Sequence, residues 1–209
     1  MAEKIKLNKN TLREQNQSLR LYQEFLPTLE LRRQQLQAEV RAARARIAER
    51  ERELGELLDG AAGFAPLLVG TLRAVRPLVE IEAVETRTGN VAGVRVPLFV
   101  RVRFRDVPYS LVATPPFYDA AVGFWRRALG ARAEIDTLRE QERALDEQLT
   151  KTTQRINLYE KVLIPECREN IRRVRVYLGD QQTAGVCRAK IAKAKIIRAG
   201  EAEAARAGG

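Results

Sequence analysis

A heptad repeat sustained from Ile5 to Leu57 most narrows what this chain can become. With position a set at Ile5, the a sites are Ile5, Leu12, Leu19, Leu26, Arg33, Val40, Ile47 and Leu54, apolar except at Arg33. The matching d sites are Asn8, Gln15, Tyr22, Leu29, Leu36, Ala43, Arg50 and Leu57. Such a stripe needs a partner helix along its whole length. A straight helix over this segment is about 80 Å long, too long for the interior of a compact globule of this size. Pro27 falls at a b site and predicts a bend or a local break.

The pattern stops at Gly55, Gly60 and Gly63, with Pro66 beyond them. A short helix is expected from about Ala65 to Val75, closed by Pro77. From Val79 the period becomes two. Val79, Ile81 and Ala83 alternate with Glu80 and Glu82, and Val100, Val102 and Phe104 alternate with Arg101, Arg103 and Arg105. Thr88-Gly89-Asn90 between them reads as the turn of a β-hairpin, with Tyr109 to Val112 available as a further strand. Pro97 marks an edge strand or a bulge.

Thr114-Pro115-Pro116 then opens a second long helix. Its a sites are Ile135, Glu142, Leu149, Ile156 and Leu163, and its d sites Leu138, Leu145, Thr152 and Tyr159. Past Pro165 the stripe moves by one residue, to Ile164, Cys167, Ile171, Val174 and Leu178, as a bent coil needs to keep one seam. Gly179 and Gly185 predict an interruption, with the helix resuming from Val186 to Ile197.

The expected fold is therefore mainly α: a long antiparallel two-helix coiled coil with a small β-hairpin-containing middle segment. The divisions are 1–58 for the N-terminal helix, 59–113 for the middle, 114–199 for the C-terminal helix and 200–209 for a flexible tail. The seam is expected at Leu19, Leu26, Leu36 and Ile47 against Leu138, Leu145, Leu149 and Ile156. The molecule should be elongated, with the hairpin a separate module at the end away from the termini, dispensable for folding of the rod.

Composition now bears on function. The 209 residues carry a formal net charge of +10 and no histidine. The charge favours an acidic partner surface. The missing histidines exclude His-dependent triads and His-ligated zinc. Cys167 and Cys187 lie roughly 30 Å apart on a continuous helix and cannot bond to each other, so they read as reduced thiols. No phosphate-binding loop of the G-x-x-x-x-G-K-[ST] kind and no dinucleotide fingerprint occurs. Glu80, Glu82 and Glu85 form a carboxylate cluster in the middle but look like the solvated side of a strand. The expectation is a non-enzyme without cofactor or metal. Glu3, Lys4 and Lys6 interrupt any leader-like apolar run, and the uncharged stretch from Gly60 to Leu72 is too short to span a bilayer, which points to a cytoplasmic chain.

Two basic clusters stand out: Lys4, Lys6 and Lys9 near one terminus, and Arg188, Lys190, Lys193, Lys195 and Arg198 near the other. Antiparallel pairing puts both at one tip, suited to docking on an acidic surface. Arg168, Arg172, Arg173 and Arg175 form a further stripe, with Glu166 and Glu169 at pairing distance. A basic coiled-coil nucleic-acid binder or scaffold is the alternative. Arg101, Arg103 and Arg105 could supply a basic sheet face, but no nucleic-acid module is present.

Several segments resemble one family. They are Tyr22-Gln23-Glu24-Phe25-Leu26-Pro27-Thr28-Leu29, Ala92-Gly93-Val94-Arg95-Val96-Pro97-Leu98-Phe99, Leu163-Ile164-Pro165, Tyr177-Leu178-Gly179-Asp180 and Arg188-Ala189-Lys190-Ile191-Ala192-Lys193. In order and over nearly the whole chain, they resemble the D subunit of V-type (V/A-type) ATPases, in its bacterial branch. The resemblance implies a central-stalk rotor carrying torque between ATP hydrolysis or synthesis in a catalytic hexamer and proton or sodium translocation by a membrane ring. It implies as partners the catalytic A and B subunits, a small F subunit and the funnel-like subunit on the ring. It further implies a cytoplasmic location peripheral to the cell membrane, with no nucleic acid and no direct membrane insertion. The two basic clusters would then be the tip that contacts the hexamer.

Overall fold

The computed structural model describes residues 5–64, 66, 75–108 and 117–207. Its elements are α1 (Lys9–Gly60), two 3-10 turns (Ala62–Phe64 and Arg76–Val79), strands β1 (Ile81–Val91) and β2 (Val94–Phe104), α2 (Tyr118–Leu158), a π-helical turn (Tyr159–Leu163) and α3 (Ile164–Ala207). The chain divides into two compact units, one of Met1–Leu29 with Arg155–Gly209, the other of Glu30–Gln154. Among the described residues the fold is mainly α with one small two-stranded antiparallel sheet.

Asn8 starts α1 by accepting the Thr11 N–H through Oδ1 at 2.7 Å, which satisfies one orphan donor of the first turn. The helix then runs unbroken through Pro27. Gln23, whose carbonyl loses its usual donor there, lies on the exposed face with Pro27, so water can replace the missing bond.

In the unit Glu30–Gln154, interhelical ion pairs show the direction of packing. Arg44 reaches Glu142 at 2.7 Å and Asp146 at 3.4 Å, and Arg50 reaches Glu134 at 3.1 Å. Rising numbers on α1 meet falling numbers on α2, so the helices pair antiparallel. One core cluster joins Leu36, Val40 and Ala43 of α1, Leu145 of α2, and Val94 and Val96 of β2. A second joins Val75, Leu78 and Val79 with Ala121 and Val122 of α2. Arg126 ties α2 to the latter by donating to the Leu78 carbonyl at 2.9 and 3.2 Å, and its guanidinium lies 5.4 Å from the Phe104 ring centroid.

Three readings of the middle are corrected. The hairpin turns at Ala92-Gly93, not at Thr88-Gly89-Asn90, which belong to β1 opposite Pro97, Val96 and Arg95. Ala92 at φ 49° and Gly93 at φ 77° both adopt the left-handed region. Two such residues make the two-residue turn whose twist suits a hairpin, at some cost for the alanine. This register puts Val94 and Val96 on the face that meets α1 and α2, and burial there decides between registers. Gly89 is needed as a strand residue, because a Cβ there would run into the Leu98 side chain.

Second, the hairpin is not a separate module: Val96 is 1% exposed in the same cluster as Leu36. Third, Arg101, Arg103 and Arg105 do not make a free basic face. Arg101 pairs with Glu85 at 2.6 Å, Arg103 with Glu85 at 3.1 Å, and Arg105 with Glu80 at 3.2 Å. Pro97 does lie in an edge strand. The expected 65–75 helix falls almost wholly, and the Tyr109–Val112 strand and the Thr114-Pro115-Pro116 start fall entirely, outside the described residues.

Candidate functional site: the basic distal helix

The unit Met1–Leu29 with Arg155–Gly209 is built on the seam between α1 and α3. Tyr22 stacks on Tyr159 with ring centroids 5.3 Å apart. Ahead of α3, the Ile164 N–H donates to the Tyr159 carbonyl, an i to i−5 bond that closes the π turn. Pro165 has no N–H for Lys161, and the wider turn admits one extra residue. That residue is the physical origin of the one-residue shift in the stripe. Ile164, Cys167, Ile171 and Val174 are accordingly buried, with Asn170 beside them. Burial, with Glu166 adding, pushes the Cys167 thiol above its ordinary pKa.

Beyond Leu178 the surroundings change. The helix continues through Gly179 and Gly185 without the expected interruption, and past Gly200 to Ala207. An isolated glycine costs a helix about 1 kcal/mol relative to alanine, which weakens a turn without ending it. Every residue from 186 to 200 is exposed. The apolar ones include Val186, Ile191, Ile196 and Ile197, with Ile196 72% exposed. Arg188, Lys190, Lys193, Lys195 and Arg198 are exposed alongside them, and among the described residues none forms an ion pair. At 3.6 residues per turn these cations are spread around most of the circumference.

The other cluster is close by. Lys6 and Lys9 are exposed, and Lys4 lies outside the described residues. Leu19 and Asn16 share a groove of about 360 Å³ with Ile171, Arg175 and Val176. Counting antiparallel from there puts Lys9 opposite roughly residue 181, about 10 Å along the axis from Arg188. The clusters therefore succeed one another along the helix. In the arginine stripe Glu169, not Glu166, takes the pairing role, bonding Arg172 at 2.9 Å and Arg173 at 3.1 Å. Hydrogen bonding from Arg172, and then from Arg173, holds the Glu169 carboxyl below the usual carboxylate range. Arg168 and Arg175 form no ion pair among the described residues.

Of the seam residues, Leu36, Leu138, Leu145 and Ile156 are buried, and Leu19, Leu26, Ile47 and Leu149 are half-buried. Among the described residues no group of His, Cys, Asp and Glu could hold a metal ion. No described helix is long and apolar enough to cross a membrane.

A family profile for the ATP synthase D subunit matches residues 11–194. A V-type ATP synthase D subunit from Borreliella burgdorferi is 33% identical over 195 residues, covering 93% of this chain and 96% of that protein. One from Chlamydia muridarum is 35% identical over 198 residues, covering 94% and 98%.

The chain belongs to the V-type ATP synthase D subunit family.

For this member of the V-type ATP synthase D subunit family, the exposed apolar residues of α3 are what sequence reading missed. Their signal was present as isoleucines and alanines interleaved with lysines outside any heptad, a pattern that fits no single-faced seam. The family profile takes in Arg188, Lys190 and Lys193 and stops before Lys195 and Arg198.

Proposed function

We propose that this chain is the non-catalytic central-stalk rotor subunit of a V/A-type rotary ATPase. It transmits torque between ATP hydrolysis or synthesis in the catalytic hexamer and proton or sodium translocation by the membrane ring. The distal part of α3 carries this reading: a helix exposed on all sides from residue 186 to 200, with cations and isoleucines around its circumference. A helix that packs on one neighbour hides its apolar residues on one stripe. One that is apolar and basic all round fits a partner that surrounds it, as the bore of a ring does.

The partners under this reading are the catalytic A and B subunits around the distal helix, the small F subunit on the side of the coil, and the funnel-like subunit at the ring. The complex sits at the cytoplasmic face, and this chain is peripheral to the membrane. Catalysis belongs to the other subunits, and the family-level name of the relatives, a subunit of an ATP synthase, is consistent with that division.

Cys187 supplies the test, because it is exposed on the distal helix while Cys167 is buried. In the reconstituted complex, Cys187 is oxidised to a disulfide with a cysteine introduced into the hexamer bore. Multi-turnover ATP hydrolysis should stop in the cross-linked fraction and return on reduction. Full turnover by completely cross-linked complexes would rule out rotation of this chain within the hexamer.

A further inference from the structure

The hairpin has two edges, and they are treated differently. In a hairpin closed by a two-residue turn, Val91 and Val94 exchange backbone hydrogen bonds, and the outward-facing pairs alternate from there. Asn90, Thr88 and Thr86 therefore turn their N–H and C=O groups away from β2, and Arg95, Pro97 and Phe99 turn theirs away from β1. On the β2 side this edge is closed. Pro97 has no N–H to offer, and its carbonyl accepts a hydrogen bond from Gln141 Nε2 at 2.5 Å. On the β1 side no described group bonds the outward backbone of Thr86, Thr88 or Asn90.

The same stretch is bare on both faces. Thr86, Arg87 and Thr88 are consecutive and all exposed, although Arg87 lies on the side that carries Val96 and Leu98. β1 thus overhangs the helices. The register irregularities fall at Ile81–Ala83 and Glu85–Thr86, so from Thr86 to Asn90 the edge is regular, with no proline, no lysine and, among the described residues, no covering element, the kind that folded proteins normally blunt. Around it the charge is one-sided. Glu80 and Glu85 are taken up by Arg105, Arg101 and Arg103, whereas Arg87, Arg95 and Arg32, near Gly93, have no ion pair among the described residues.

We infer that the outer edge of β1 receives an extended, acidic segment of another subunit of the same assembly, added as a third strand along Thr86–Asn90. Backbone pairing supplies the affinity; carboxylates of the incoming strand meet Arg87 on one face, and Arg95, one strand further in and opposite Asn90, adds positive charge on the other. This rests on the reading of the chain as a subunit of the ATPase complex.

Amide hydrogen exchange over Glu85–Val91 tests it, comparing the isolated chain with the purified complex. The amides of Thr86, Thr88 and Asn90 should exchange at least tenfold more slowly in the complex. Thr88→Pro removes an N–H that the internal ladder does not use, mirroring Pro97 across the sheet. With it the complex should still assemble, but Thr86 and Asn90 should lose their protection. Arg87→Glu with Arg95→Glu should cut the protection several-fold without touching the backbone; if Thr88→Pro fails to fold, this pair decides. Unchanged exchange in an assembled complex, or protection that survives Thr88→Pro or the double reversal, would overturn the edge pairing while leaving the rotor reading intact. A chain that enters no ATPase complex would overturn both.

Discussion

Leu36 and Arg33 sit one turn apart on the same stripe of α1, and they show how unequal its layers are. Leu36 is 0% exposed, and Arg33 Nε is buried without a hydrogen-bond partner. Truncating Leu36 to alanine should cost about 2 to 4 kcal/mol, because the cavity lies between two helices and the hairpin and cannot collapse freely. Leu149→Ala, at a half-buried site, should cost less than Leu36→Ala. Arg33→Met should do the reverse and stabilise by about 1 kcal/mol, since it removes an orphaned donor while keeping most of the stem's packing. Urea unfolding of the three variants checks the order, and a destabilised Arg33→Met would mean that the guanidinium contributes an interaction the burial pattern hides. The heptad spacing made Leu36 legible as a core residue. It gave no means of ranking Leu36 above Leu149, because depth depends on where the hairpin lands, and no local pattern encodes that.

The hairpin and the π turn were legible to different degrees, for identifiable reasons. Strand alternation and the Arg and Glu positions showed a hairpin, but Thr88-Gly89-Asn90 mimics turn chemistry and drew the turn to the wrong place. The true turn includes Ala92, a residue whose left-handed backbone no propensity favours; the burial of Val94 and Val96 selects it. Near the open end of the hairpin, hydrogen bonding from Arg101 lowers the Glu85 pKa. A carboxyl depressed in the folded state adds stability above its unfolded pKa, and that contribution is lost as pH falls through the folded value. Glu85→Gln should therefore lower the urea midpoint at pH 7, and the gap to the parent should close as pH drops below about 4. A gap that stays constant down to pH 2 would show that the pairing with Arg101 does not matter. The π turn admits a sharper test. Because it absorbs one extra residue, deleting exposed Val162 together with Pro165→Ala should give a continuous α-helix with the stripe still in phase. Stability should stay within about 1 kcal/mol. Pro165→Ala alone should keep the π turn, since straightening without deletion would swing Ile164, Cys167, Ile171 and Val174 about 100° off the seam. A large loss from the deletion would mean that the π turn itself is required.

At the scale of the whole molecule, the formal charge of +10 is unevenly distributed. Around the hairpin and along the α1–α2 seam many arginines have carboxylate partners, whereas Arg188 to Arg198 have none among the described residues. Under the proposed rotor reading, a shaft that steps past successive catalytic interfaces must break at each step the contacts made at the one before. A few strong, interlocked contacts would trap it. Many exposed charge contacts, each worth about 0 to 1 kcal/mol, would hold the shaft in the bore while leaving each step shallow. Single removals at Lys190, Lys193 or Lys195 should therefore be nearly silent. Reversing all three to glutamate should weaken binding to the hexamer and lower coupled ion pumping, with the effect fading as salt rises, because such contacts are screened over about 8 to 10 Å at physiological ionic strength. The isoleucines between them predict the residual: affinity for the hexamer that survives high salt should fall when Ile191 and Ile196 are changed to serine, with the lysines intact. Binding and coupling left unchanged by the triple reversal at low salt would make these lysines ordinary solvated surface, and the distal helix would then engage its surroundings through its apolar side chains alone.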